Sequence, residues 1–330
     1  MSLAVEARKL AGALVVDTFF RSLTKVAKLH PQSNPARHDV EVTKDVAYLA
    51  TGREHHLADT YRPIRRGGEG PLPIVLYVHG GGFRILSKDS HWIMGLLFAR
   101  RGFLVISINY RLAPKHPYPA ALEDCAAAYE WVVRNGAALG GDVSRLFLAG
   151  ESAGANLVTA MAVAASVERP EHFAKKIFDT GVVPVAVLPA CGILQVTDSE
   201  RFGRRRKLPP WLADRMTEVE SSYLPREAPS HGFDFADPLV LLERAGETRQ
   251  TARPLPSFFV ACGTKDPLLD DSRRLAKALD ALGVHHELKI YPGGVHAFHA
   301  MVFQKIARDH WRDNFRFMER VLAERLRAQT

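Results

Sequence analysis

RLFLAGESAGANL, residues 145–157, decides how this chain is read. An apolar run from Leu146 meets Gly150-Glu151-Ser152-Ala153-Gly154 and passes into a helix-forming stretch. The pentapeptide matches G-x-S-x-G, and a strand before it with a helix after it is the context that gives the match weight. A serine raised on a tight, strained turn is open to a base and to a substrate. Gly150 and Gly154 lie two residues to either side, where side chains would collide as strand and helix close on each other. The competing reading is an ordinary helix start capped by Ser152.

A serine hydroxyl is a weak nucleophile without a base. LKIYPGGVHAFHA, residues 288–300, places His296 in a glycine-containing loop just after a strand, with His299 as its rival. A neutral imidazole there takes the hydroxyl proton and returns it to the leaving group. The base needs an acid to fix its tautomer. FFVACGTKDPLLDDS, residues 258–272, offers Asp266 soon after another strand end. Asp270 and Asp271 compete, but they precede SRRLAKAL and read as caps of the next helix. The order Ser152, Asp266, His296 is that of the α/β-hydrolases.

LYVHGGGFRI, residues 76–85, gives up side chains at three successive positions as a strand ends. Backbone N–H groups can then approach the charge that develops on an attacked carbonyl oxygen. Gly80 and Gly81 are the candidate donors, with Ala153 as the third; Gly82 frees the turn and His79 anchors it by hydrogen bonding. A phosphate cradle is the rival reading, and the Gly-Lys-Ser/Thr it requires does not follow.

Around these stretches the chain alternates. VEVTKDVAYLA and REHHLADTYRP read as an antiparallel hairpin at the sheet edge. PIVLYVH and FLVISIN are continuous apolar runs of strands buried on both faces. SKDSHWIMGLLFARRG reads as a helix with Ser or Asp caps at its start and Gly102 at its end. Further strands and helices follow to a last helix with Trp311, Phe315, Met318 and Leu322 in one stripe. The expectation is a single α/β domain over 1–330, with about eight mostly parallel strands and helices on both faces. Functional residues belong beyond the carboxyl ends of the strands.

Two segments stand apart as cap elements. About 195–237 is rich in charge and proline and breaks the alternation without starting a new sheet. Within it, Arg204-Arg205-Arg206-Lys207 reads either as a solvated loop or as a contact for an anionic lipid surface or acidic substrate. About 1–38 opens with Leu10, Leu14, Val16, Phe20, Leu23 and Val26 at helical spacing between basic residues. A helix packed on the body and a helix lying at a membrane interface both stay open.

The 330 residues carry a net charge of +8 and are 47% hydrophobic, an ordinary balance for a globular chain. No interleaved basic and aromatic pattern marks a nucleic-acid face. Cys125, Cys191 and Cys262 are too few and too scattered for a disulfide framework or a zinc pattern. They read as buried thiols in apolar settings and point to a reducing, cytoplasmic location, with membrane association left open. His55-His56 and His285-His286 are strand neighbours pointing to opposite faces, so no metal site is expected.

HGGGF, NYRLAPKHPYPAALEDC, GESAGAN, GTKDPLLDDS and GGVHAF, in order from residue 79 to 298, resemble the hormone-sensitive-lipase branch of α/β-hydrolase esterases. The resemblance implies a serine carboxylesterase or lipase without cofactor, acting on a small-molecule ester. It implies Ser152, Asp266 and His296 as a triad, Gly80, Gly81 and Ala153 as oxyanion hole, and residues 110–114 as supporting scaffold. It also implies a homodimer through the last strand and helix. Other acyl chemistry (amide, lactone or carbamate hydrolysis, or acyl transfer) and a receptor role remain the alternatives. Four positions depart from the branch pattern: Glu151 and Asn109 stand where aspartate is common, Ala155 for a glycine and Lys115 for a glutamate. Glu151 reads as a structural hydrogen-bonding group, with a second catalytic carboxylate as its alternative.

Overall fold

The computed structural model describes residues 28–64, 70–205, 209–227, 232–248 and 251–329, with positions 18, 22, 24 and 26 ahead of them. The proposed N-terminal helix therefore lies mostly outside the described residues. Of it, Thr24 Oγ1 reaches the Ser90 carbonyl at 3.3 Å. Arg206 and Lys207 of the basic run also lie outside.

Eight strands form one sheet: β1 Val40–Ala47, β2 Leu57–Pro63, β3 Leu72–Val78, β4 Leu104–Ile108, β5 Gly141–Glu151, β6 Ala186–Ala190, β7 Ser257–Gly263 and β8 His286–Tyr291. Their order is β1-β2-β4-β3-β5-β6-β7-β8. The β1–β2 hairpin pairs in register Val40 to Pro63, and β2 adds antiparallel to β4; the pairs from β4 through β3 to β8 are parallel. The expected hairpin and parallel sheet are thus present. His55 and His56 are a correction: they lie in a 3-10 turn, Glu54–His56, rather than on a strand. His56 Nε2 is 3.2 Å from Asp124 and its Nδ1 is 2.6 Å from Thr51 Oγ1.

Side-chain alternation along β3 splits the core in two. Ile74, Leu76 and Val78 pack under helices α2 (Ala120–Asn135) and α3 (Ala153–Ser166). Val75 and Tyr77 pack under α1 (Trp92–Ala99) and the last helix, α9 (Lys305–Gln329). The stripe of Trp311, Phe315 and Met318 is buried there, with Leu322 at its margin. Helix α1 starts five residues later than its sequence suggests and has no side-chain cap. The polar residues ahead of it are committed elsewhere: Lys88 pairs with Asp45 and Asp59, and Ser87 and Ser90 bond each other.

Helix α4 (His172–Phe178), not expected from sequence, follows α3. Segment 195–237 holds α5 (Arg201–Arg205) and α6 (Pro210–Tyr223) and no strand among its described residues. Helices α7 (Pro238–Thr248) and α8 (Leu269–Ala281) complete the chain. No helix among the described residues is long and apolar enough to cross a membrane.

Candidate active site

The turn between β5 and α3 holds Ser152 at φ 53° and ψ −115°. A residue with a side chain is strained there and is held only because its surroundings over-determine it. The Ser152 amide donates to the Ala190 carbonyl at 2.9 Å, which ties the turn to the end of β6. A Cβ on Gly154 would stand 2.1 Å from the Val78 carbonyl oxygen, and one on Gly150 would stand 2.6 Å from the Gly154 carbonyl. The collision expected at both glycines is therefore real.

The loops after β7 and β8 are clasped together. Thr264 donates to the Tyr291 carbonyl at 3.0 Å and Lys265 to the Gly294 carbonyl at 2.9 Å. A Cβ on Gly263 would meet Gly294 O at 2.1 Å, so only hydrogen fits between the two loops. This clasp sets Asp266 against His296. Asp266 is buried, and its Oδ2 accepts from His296 Nδ1 at 2.9 Å while its Oδ1 accepts from the Leu268 amide at 2.9 Å. His296 Nε2 lies 3.0 Å from Ser152 Oγ. With Nδ1 donating to the carboxylate, the neutral ring presents a bare Nε2 to the hydroxyl. Burial pulls the His296 pKa down, but the Asp266 carboxylate, together with Cys191 beside it, more than offsets this and holds it well above the ordinary value. The side chain is 39% exposed, so solvent damps the effect.

The rivals sit elsewhere. His299 is buried and bonds Glu151, not Ser152. Asp270 and Asp271 are not caps, which corrects the expectation: they lie inside the first turn of α8, whose N-cap is Leu268. Asp271 is committed to segment 195–237, accepting from the Leu194 amide at 2.9 Å and pairing with Arg201 at 2.7 Å.

The glycine loop leaves β3 beside this group. His79 anchors it: Nδ1 donates to the Gly80 carbonyl at 2.7 Å, and the ring stacks on Tyr110 with centroids 4.3 Å apart. Burial pushes the His79 pKa down to about 3, so the ring is neutral. Gly81 has φ 111°, and a Cβ there would meet Ile85 O at 2.1 Å. The Arg84 and Ile85 amides fold back on the Gly81 carbonyl, both at 3.1 Å. The amides of Gly80 and Gly81 donate to no backbone carbonyl among the described residues. Ala153 opens α3, where first-turn amides have no helical acceptor.

Three features were not foreseen. Cys191 is buried as expected, but beside polar groups: its sulfur and ligand atoms of Asp266 and His296 lie within 4.8 Å of one another. This is the one cluster of metal-ligand type among the described residues, and its carboxylate and imidazole already share a hydrogen bond. Glu151 is hydrogen-bonded, as expected, but its partners, two histidines, were not foreseen. Helix α6 rests on the glycine loop: a Cβ on Gly82 would be 2.9 Å from Val219, Phe83 stacks on Tyr223 at 3.8 Å, and Glu218 joins Arg84 to Arg215. Apart from the local Arg215–Glu218 pair, the contacts of Glu151 and of α6 with the glycine loop span 60 to 148 positions of sequence and left no local pattern to read.

Residues 75–300 match the family described as alpha/beta hydrolase fold. The chain belongs to that family. Among its relatives, Carboxylesterase NlhH of Mycobacterium tuberculosis is 34% identical over 229 residues, 69% of this chain and 66% of that protein. The chain thus spans just under two thirds of that carboxylesterase's length. An acetyl esterase of Salmonella dublin is 34% identical over 243 residues, 73% of this chain and 70% of that one. The crystal structure of esterase LipW from Mycobacterium marinum has a TM-score of 0.72 at 26% identity, covering 94% of this chain and 90% of that chain. Within the α/β-hydrolases, the relatives and solved structures this chain is similar to are named as esterases, in keeping with its resemblance to the hormone-sensitive-lipase branch.

Proposed function

We propose that the chain hydrolyses carboxylic esters of short- to medium-chain acids through an acyl-serine intermediate. The observation that carries this is the unbroken relay from Asp266 Oδ2 to His296 Nδ1 at 2.9 Å and from His296 Nε2 to Ser152 Oγ at 3.0 Å. The names of the relatives support the bond type, and that of the acetyl esterase supports a short acyl chain.

Ser152 Oγ attacks the ester carbonyl as His296 Nε2 takes its proton. The carbonyl oxygen becomes an oxyanion held by the amides of Gly80, Gly81 and Ala153, each worth roughly 2.7–4 kcal/mol in the transition state. The imidazolium, stabilised by Asp266, protonates the departing alcohol. Water then attacks the acyl-serine with His296 as base and restores the hydroxyl.

A series of aryl esters from acetyl to long acyl tests this reading. Turnover should peak at the short to medium members, and Ser152→Ala should abolish it. A variant that keeps its rate would remove Ser152 from the reaction.

A further inference from the structure

Glu151 is 6% exposed and ends β5, one residue before the nucleophile. Its Oε1 accepts from His91 Nε2 at 2.6 Å, and its Oε2 accepts from His299 Nε2 at 2.6 Å. The two histidines belong to different parts of the site. His91 stands at the head of α1, at the far end of the segment that the glycine loop begins. His299 lies in the 3-10 turn Phe298–Ala300, three residues beyond His296. The glycine loop itself leans on the same residue: a Cβ on Gly80 would meet Glu151 O at 3.0 Å and Glu151 Cγ at 3.1 Å.

The protons can be placed from the partners. His91 Nδ1 faces the Ser87 carbonyl at 3.1 Å and Ser90 Oγ at 2.9 Å, and that hydroxyl already donates to Ser87 O. Both ring nitrogens of His91 must therefore donate, which makes it an imidazolium against the Glu151 carboxylate. His299 donates through Nε2, and its Nδ1 has no hydrogen-bond partner among the described residues, so nothing there accepts from a second N–H. His79 and His310 flank the group, and burial holds both neutral. One carboxylate and one imidazolium balance in a buried pocket, as a buried ion pair must.

We infer that Glu151 is a positioning residue whose carboxylate locks the glycine loop, the serine turn and the histidine loop into one register. The inference rests on the proposed triad and deepens it. Three segments far apart in sequence must agree to a fraction of an ångström for the serine, its base and the oxyanion donors to serve one tetrahedral centre. A glutamate adjoining the serine, bonded on each oxygen to one of the other two segments, supplies that agreement. Glutamine cannot replace it evenly. Its amide nitrogen would face a histidine N–H, donor against donor, and the His91 imidazolium would lose its counter-charge.

The experiment compares wild type, Glu151→Gln and His299→Phe, with His299→Gln as the conservative partner that can still donate. A fluorophosphonate titrates the competent serine, kcat is expressed per titrated site, and a boronic acid reports affinity for a tetrahedral adduct. For Glu151→Gln, kcat per site should fall about 10²-fold with KM little changed. Boronate affinity should fall in parallel. His299→Phe should lose less, and His299→Gln should recover part of the loss. Lower melting temperatures with kcat per site and boronate affinity intact would overturn the inference and leave Glu151 a merely structural group. If Glu151→Gln does not fold, the His299 pair decides by the same readouts. Wild type that fluorophosphonate does not label would sink the serine-hydrolase reading, and this inference with it.

Discussion

In the proposed mechanism the imidazole of His296 acts as a base only when neutral, and Asp266 makes the neutral form harder to keep as pH falls. Because the carboxylate raises the folded pKa, protonation sets in at a higher pH than for a free histidine. The rate should therefore fall through a midpoint above roughly 6.5, the ordinary value. Asp266→Asn removes the charge, so that midpoint should move down while kcat drops about 10⁴-fold through loss of the correct tautomer. A pH–rate profile of kcat/KM for both proteins checks the two shifts, and an unmoved acidic limb would contradict the pairing. Ser152, Asp266 and His296 were legible because each follows an apolar strand in a distinctive local setting. Cys191 and His91 were not, since each looks like an ordinary strand or helix residue until the fold brings its partners to it.

At the scale of elements, α6 and the glycine loop behave as one packing unit. Tyr223 is fully buried under Phe83, and Glu218 is 4% exposed between two guanidinium groups. Glu218→Ala leaves Arg84 and Arg215 without their shared anion, at a cost of about 3 kcal/mol. Urea unfolding measures that loss. Steady-state kinetics should show kcat falling more than KM rises, because the loop carrying Gly80 and Gly81 is loosened; an unchanged urea midpoint and kcat would show the contact to be idle. The segment itself was visible in the sequence, but its helix was masked by composition. Pro210 belongs to that proline-rich stretch, yet it occupies the first turn of α6, where its missing N–H costs nothing. The start of α1 misled in the opposite sense, with cap-like residues that serve turns and ion pairs instead.

Across the whole molecule, an antiparallel hairpin is joined to a parallel sheet, and Lys88 is the charge that fastens them. Its side chain is 1% exposed and reaches Asp59 on β2 at 2.8 Å and Asp45 on β1 at 2.7 Å. Lys88→Met keeps the stem and deletes the charge. Asp59 would retain Lys44, at 3.0 Å, as its one cation beside the Asp45 amide, and stability should fall by about 3 kcal/mol. Thermal unfolding reads this directly, and an unaltered midpoint would show that Lys44 alone suffices. The layered architecture followed from alternating apolar runs, whereas this fastening depends on how the edge meets the centre, which no window of sequence displays. The candidate groups hang from the ends of β3, β5, β7 and β8, at positions 80, 152, 266 and 296. A polypeptide halted during translation before the last of these would display a serine with no proton acceptor. On the proposed mechanism, turnover is therefore among the final properties this chain acquires as it is made, and copies truncated before residue 296 would lack its base.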